Sequence, residues 1–195
     1  NLTLPAEARN LGLLNYKGNI SGFFSDMVLY GNLQTNIGTI YTDLLLQFQN
    51  EFRDVNYNGT IRSDGLNLGE LLVTESVGNI SFYFNTTGTR KMNSSFQGII
   101  DANVPEFLLN GYTYHDIRFN GEYDGTGFNG KLKVEDENIS ADFNGLIDLT
   151  QQLPVFDFDL VVDKVNLSNL NLVQKYPDAF LSFNGKTNMT GNSLD

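Results

Sequence analysis

The side chains that could perform acid–base or nucleophilic chemistry are few and poorly placed for it. His115 is the single histidine and the chain has no cysteine. A thiol nucleophile and a polyhistidine metal site are therefore excluded, and a Ser-His-Asp triad would have to use His115. Its neighbours Tyr112 and Tyr114 alternate as they would along one face of a strand. We interpret His115 as an exposed strand residue without a catalytic role.

Carboxyl groups offer a second route to chemistry, because glycoside hydrolysis needs two acids facing each other across a cleft. The densest acidic run, Glu135-Asp136-Glu137, is contiguous and falls at the tip of a predicted hairpin, where we expect its charges to be solvated. The segment 124–127 lacks the spaced oxygen ligands and closing Glu of an EF-hand loop and predicts a turn. We therefore expect no catalytic residues, no metal and no cofactor, and a glycan-active enzyme is the least favoured class.

Composition narrows the class of protein and its partners. The formal charge of −11 and the pI near 4.4 argue against binding to nucleic acid, which requires clustered Lys and Arg. Hydrophobic residues make up 41% of the 195 residues, enough to offset the chain entropy lost on folding. The sequence contains no run of about 20 apolar residues. We expect a folded, soluble, non-spanning fragment of a longer protein.

The elements that must position these side chains are short strands with one apolar face. Alternation of apolar and polar residues is clearest in 128–134, 139–149 and 156–162, with a polar turn at 135–138 between the first two. These segments predict a hairpin followed by a third strand sharing one apolar face. The same period of two predicts strands around Leu44–Phe48, Ile80–Phe84, Ile100–Val104 and Ile117–Tyr123.

A recurring apolar-x-Gly triplet accompanies this alternation. It is clearest at Phe128-Asn129-Gly130, Phe143-Asn144-Gly145 and Phe183-Asn184-Gly185, with looser copies ending at Gly22, Gly31, Gly59, Gly98 and Gly121. Glycine on the apolar face of a strand indicates a bulge, a bend, or room for a bulky group opposite, and bending is the simplest interpretation.

Helical periodicity is nearly absent. Two short segments, Pro105–Leu109 and Ser168–Tyr176, are the helix candidates. With so few helices to cover them, one-sided strands must bury their apolar face against each other or against a ligand. The fold class is therefore all-β, as a sandwich, a closed barrel, or a sheet folded into an open trough.

Several segments, read in order, resemble the TamB family of AsmA-like, bridge-like lipid transfer proteins. The residues that carry the resemblance are Asn110–Gly121, Gly127–Ile139, Phe143–Leu149, Pro154–Leu160 and the leucine-spaced Val165–Leu172, with an earlier copy at Leu66–Leu72. The match is best over 98–172, inside a single fragment spanning 1–195. The resemblance implies repetitive antiparallel strands in a curved, elongated sheet folded into a hydrophobic groove, a β-taco.

What the resemblance implies about function is a periplasmic segment of a protein anchored in the inner membrane of a Gram-negative cell. Such proteins are linked to phospholipid transport between the membranes and, through a TamA-like outer-membrane barrel, to outer-membrane biogenesis and protein secretion. We expect phospholipid acyl chains as the partner of the groove, and the TamA-like barrel to be contacted by parts of the protein outside this fragment. The groove candidates are Ile117, Phe119, Phe128, Leu132, Val134, Ile139, Phe143, Ile147, Phe156, Phe158 and Leu160.

Two alternatives use the same residues. In one, strand edges pair with nascent outer-membrane strands, so that the chain assists barrel assembly as a scaffold. In the other, the apolar residues form the closed core of a structural β-sandwich domain of a secreted or surface protein. Periodicity does not distinguish a groove lining from a dry core, because both have the period of a one-sided strand.

Overall fold

The computed structural model describes residues 6–149, 153–173 and 180–190. Within them the chain forms one antiparallel sheet of eleven strands in sequential order, not closed into a barrel. The strands are β1 (Asn15–Phe23), β2 (Asp26–Thr35), β3 (Gly38–Gln49), β4 (Asp54–Asn67), β5 (Val77–Arg90), β6 (Phe96–Leu109), β7 (Tyr112–Asp124), β8 (Gly127–Glu135), β9 (Ile139–Asp148), β10 (Val155–Asn166) and β11 (Phe180–Thr190).

The all-β prediction is confirmed, and its open-sheet form is the one that the chain adopts. Each strand pairs with the next along the chain, and extensive contacts between the described strands are confined to these neighbours. A sandwich would need a second sheet packed face to face against the first. The described chain therefore forms neither of the alternative architectures, the sandwich or the closed barrel.

The strands follow the predicted alternation. The predicted hairpin is β8 and β9, and the third strand is β10. Copies of the apolar-x-Gly triplet fall within β1, β2, β4 and β11, which the alternation alone did not identify as strands. The expected turn at 124–127 is present, with β7 ending at Asp124 and Gly125 in the left-handed region at φ 59°.

Both helix predictions are wrong in the described residues. Pro105–Leu109 is the end of β6, where backbone pairing with β7 dominates over the local helix signal from the proline. Residues 168–173 form turns, and 174–176 lie outside the described residues. The described α-helix is α1 (Leu68–Leu72), in the connection from β4 to β5, and a 3₁₀ helix spans Ala6–Leu11.

The most buried cluster lies at one end of the sheet, which we call the capped end. Ile37, Leu66, Phe82 and Val104 are buried there, and Leu11 of the 3₁₀ helix packs against them together with Leu68 and Leu71 of α1. Asn67 caps α1 by accepting a hydrogen bond from the Glu70 backbone N–H at 3.1 Å. Two short helical segments therefore cover the sheet at β2 to β6 on this side.

A second cover at the capped end is the segment 167–173, which follows β10. The side chain of Asn171 donates a hydrogen bond to the Asn110 carbonyl at 3.0 Å, and that of Asn169 donates to the Asn138 side chain at 2.7 Å. Leu170 between them is fully buried. The segment therefore reaches from the β8–β9 turn to the β6–β7 turn. The opposite end of the sheet, at turns 24–25, 50–53, 91–95 and 125–126, is called the distal end below.

Candidate apolar binding face

The strand register places all eleven groove candidates on one face of the sheet. Directly paired residues share a face, and alternate residues along a strand share it as well. One row across the sheet joins Phe119, Leu132, Phe143 and Leu160, and another joins Phe128, Ile147 and Phe156. We call this the apolar face; the other groove candidates on it are Ile117, Val134, Ile139 and Phe158.

The opposite face of the same strands is mainly polar, with Leu146 and Val161 among its exceptions. Lys131, Asn144 and Asp159 form one row across it, and Lys133 and Asp142 pair in the next. The two sides of β7 to β10 therefore differ in their dominant chemistry. A ligand that recognises hydrocarbon is favoured on the apolar face.

Aromatic rings form a connected ladder on the apolar face. The ring centroids of Phe119 and Phe128 are 4.8 Å apart, those of Phe128 and Phe143 are 6.5 Å apart, and those of Phe143 and Phe158 are 4.9 Å apart. Tilted and edge-to-face rings at these distances attract one another beyond the area they bury. The ladder crosses four strands and holds the rings in fixed positions.

The structure explains why glycine accompanies the aromatic residue in the triplets. A Cβ at Gly121 would lie 3.0 Å from the Phe128 ring, and one at Gly145 would lie 2.6 Å from the Phe158 Cβ. Each would also lie 2.3–2.5 Å from a carbonyl oxygen of the adjacent strand. The glycines therefore give room to phenylalanine side chains and to a close approach of neighbouring strands.

Most of the groove candidates are partly exposed to solvent. Val134 is buried, and the other ten are partly buried. In the described chain α1 packs against β5 and the 3₁₀ helix, not against β7 to β10. Ile117 also packs against the buried cluster at the capped end. The ten partly buried candidates thus keep part of their surface accessible.

The apolar face extends beyond the predicted candidates. Leu29, Leu44, Ile61, Phe84 and Ile100 lie on the same face in β2 to β6. The triplets at Leu29-Tyr30-Gly31 and Tyr57-Asn58-Gly59 were the sequence signal that could have identified this half. The face therefore runs from β2 to β10, and the stretch with the clearest alternation is only part of it.

One polar cluster interrupts the apolar face. The Tyr57 hydroxyl donates to the Gln97 carbonyl at 2.8 Å and lies 2.5 Å from the Tyr123 hydroxyl, which in turn is 3.1 Å from the Thr86 hydroxyl. Burial and the contact with Tyr123 raise the pKa of Tyr57. These hydroxyls form hydrogen bonds with one another and with the backbone. They place a group of polar atoms on the apolar face near the distal end.

The acidic hairpin tip is not fully solvated, which corrects the expectation for Asp136. Its side chain is completely buried and accepts hydrogen bonds from the Tyr112 hydroxyl, the Asn138 backbone N–H at 2.8 Å and the His115 backbone N–H at 3.0 Å. Burial acts to raise the pKa of Asp136, but these hydrogen bonds lower it below the usual 3.8. Asp136 therefore ties the β8–β9 turn to β7.

His115 lies in β7 with half of its side chain exposed, and its Nδ1 is 3.1 Å from the Asp136 carboxylate. The sequence carries no signal that pairs these two residues, because they are 21 positions apart. Among the described residues, no group of three or more His, Cys, Asp or Glu side chains is arranged to hold a metal ion. The contacts of Asp136 therefore hold the β8–β9 turn against β7.

Within the described ranges, the helices are too short and too polar to cross a membrane. No protein-family model, curated protein or solved structure matches the chain.

Proposed function

We propose that the apolar face binds phospholipid acyl chains. The observation that supports this is the register itself, which brings aromatic and aliphatic side chains from β2 to β10 onto one side, while the described covering segments lie at the capped end. Hydrocarbon chains need no directional partner, and burying each methylene contributes about 0.8 kcal/mol. An acyl chain lying across several strands would gain binding energy from each row that it crosses.

The dimensions of the sheet suit such a ligand. At about 4.8 Å per strand, the eight spacings between β2 and β10 correspond to roughly 38 Å. A path of this length is longer than one acyl chain, so a lipid would occupy several adjacent positions along it. This property favours movement along the face over capture at one point.

In the cell, we propose that the chain acts as a periplasmic segment of a TamB-like protein in phospholipid transport between the inner and outer membranes. The ordered motifs over 98–172 support this assignment, and the elongated open sheet with one apolar face is the architecture that the resemblance implies. The fragment would supply part of a longer path, with the membrane anchor and the contact to a TamA-like barrel provided by other parts of the protein.

The test compares two pairs of charge substitutions on the same strands. Phe143→Asp with Phe158→Asp changes the apolar face, whereas Leu146→Asp with Val161→Asp changes the opposite face of β9 and β10. The chain and both variants would be purified in mild conditions, analysed by native mass spectrometry, and extracted for lipid. We expect bound phospholipid in the wild type and in the Leu146/Val161 variant, and its loss from the Phe143/Phe158 variant.

Circular dichroism of each variant checks that the sheet is retained. Photo-crosslinking to lipid in cells covers the case in which weakly held lipid is lost during purification. A wild-type chain that carries no lipid by either method, or equal lipid binding by both variants, would refute the proposal.

The edges of the sheet support a second candidate function. β1 and β11 each pair with one described strand, so one side of each backbone is available to a further strand. Under this alternative the chain is a scaffold that assists outer-membrane barrel proteins by strand addition. A proline at a β11 residue whose N–H points away from β10 should weaken client binding and leave lipid retention unchanged. The opposite pattern would favour the lipid proposal.

A further inference from the structure

Large apolar side chains are exposed at the turns of the distal end. Phe23 and Phe24 at the β1–β2 turn are 82% and 83% exposed, and Phe52, Met92 and Phe96 at the next two turns are each more than half exposed. We call these five residues the aromatic rim. Surface turns are normally polar, so an apolar residue at the tip of three successive turns indicates a partner.

The rim is continuous across these turns. The Phe48 backbone N–H donates to the Ser25 carbonyl at 2.7 Å, which ties the first turn to β3, and the rings of Phe48 and Phe52 are 5.4 Å apart. The Met92 backbone N–H donates to the Asp54 side chain at 2.9 Å, which joins the second turn to the third. The five side chains therefore belong to one edge of the molecule.

Charges of both signs lie at the rim, which suits zwitterionic lipid headgroups. Arg53, Arg90 and Lys91 lie at the second and third turns, Arg53 pairs with Glu51 at 3.6 Å, and the Arg90 guanidinium lies 5.4 Å from the centre of the Phe96 ring. The nearby carboxylates of Asp26 and Asp54 accept hydrogen bonds from protein donors, including Gln47 and the Met92 N–H. The basic groups therefore lie beside exposed rings, an arrangement typical of side chains at a membrane–water interface.

We propose that the aromatic rim inserts into the interfacial layer of a zwitterionic phospholipid bilayer. The driving force is burial of the exposed side chains of the rim, to which Arg90 and Lys91 add contacts with lipid phosphates. The formal charge of −11 disfavours a strongly anionic surface, so binding depends on hydrocarbon contact more than on charge. The membrane contact is separate from acyl-chain binding on the apolar face and does not depend on it.

The absence of tryptophan from the chain permits a direct test. Phe24→Trp places the fluorophore at the rim, and Val73→Trp places it at a residue of similar exposure, 79%, at the capped end. Each protein would be mixed with phosphatidylcholine vesicles, with and without lipids brominated near the glycerol end of the acyl chain. We expect a blue shift and bromine quenching for Phe24→Trp and neither effect for Val73→Trp.

A second comparison measures the strength of the contact by vesicle co-sedimentation. The triple variant Phe23→Ser, Phe24→Ser and Phe52→Ser should partition into phosphatidylcholine vesicles at least tenfold more weakly than the wild type, since the loss of even one inserted ring weakens binding roughly tenfold. The matched control is Leu13→Ser, Leu72→Ser and Val73→Ser at the capped end, which should bind as the wild type does. Binding should also persist in high salt.

Three results would overturn the proposal: no vesicle binding by the wild type, equal responses of the two tryptophan variants, or equal loss in both triple variants. Self-association that the rim substitutions remove, without vesicle binding, would make the rim a contact between copies of the chain. Lipid content by native mass spectrometry should be unchanged in the rim variant, so this proposal and the acyl-chain proposal fail separately.

Discussion

The hydroxyl groups of Tyr57 and Tyr123 meet across two intervening strands of the sheet. Tyr57 is on β4 and Tyr123 is on β7, and the residues between them in the same row are Gly88 and Gly98. A Cβ at Gly88 would lie 2.4 Å from the Tyr57 hydroxyl oxygen, so the ring lies directly over this glycine. Two glycines thus allow a hydrogen bond between strands that share no backbone pairing.

Removal of the Tyr57 hydroxyl should lower stability. In Tyr57→Phe the Gln97 carbonyl and the Tyr123 hydroxyl both lose a partner, and we expect the free energy of unfolding to fall by about 1–2 kcal/mol. Urea unfolding followed by circular dichroism measures this change. Tyr30→Phe is the control, because Tyr30 is 61% exposed, and a loss of the same size there would contradict the role of the cluster.

A methyl group at Gly88 should be more harmful than one at a glycine with open surroundings. The added Cβ would lie 2.1 Å from the Gln97 carbonyl oxygen as well as against the Tyr57 ring. We expect Gly88→Ala to cost about 1–3 kcal/mol by overpacking. The control is Gly127→Ala, where the nearest atom is 3.3 Å away. Equal thermal midpoints for the two variants would show that Gly88 is not needed for close packing.

Asp136 should make the stability of the sheet sensitive to acid. Its pKa is lower in the folded chain than the usual 3.8, so its contribution is complete above about pH 4 and is lost as the pH falls through the folded-state pKa. Asp136→Asn should lower stability at pH 7 by about 2 kcal/mol and reduce its dependence on pH below 4. Urea unfolding at a series of pH values tests both effects. An unchanged pH profile would mean that the Asp136 contacts contribute little.

The packing of the segment 167–173 against the sheet should depend on Leu170. Leu170 is fully buried, and its truncation to alanine should cost about 2–5 kcal/mol through lost burial and the cavity that remains. Leu172→Ala, in the same segment but half exposed, should change stability by less than about 1 kcal/mol. Chemical unfolding of the two variants gives the comparison. Similar losses in both would indicate that the segment does not pack as a cover.

Much of the fold is readable in the sequence because a one-sided strand repeats every second residue. The alternation at 128–134, 139–149 and 156–162 identified β8, β9 and β10, and the eleven groove candidates do share a face. At Pro105–Leu109 the local signal was misleading, since pairing with β7 outweighs the preference of a short segment for a helical turn.

Relationships between distant residues could not be read in this way. Asp136 lies in a run of charges that predicts solvation, and its burial depends on Tyr112 and His115, more than 20 positions earlier in the chain. The cover formed by 167–173 likewise depends on Asn110, 61 positions away. Such contacts leave no periodic pattern in the sequence, because each occurs at a single place in the fold and does not repeat along a strand.

The sequence by itself determined that the chain is all-β, that its strands are antiparallel hairpins, and which side chains share the apolar face. These features follow from a local rule, since alternation along a strand and the turn between two strands define a face. The tertiary structure decided that the sheet stays open instead of closing into a sandwich or barrel, that one end is capped, and that glycines lie beneath aromatic rings. Those outcomes depend on contacts between residues far apart in the sequence and on the space between neighbouring strands. Only the assembled sheet determines both.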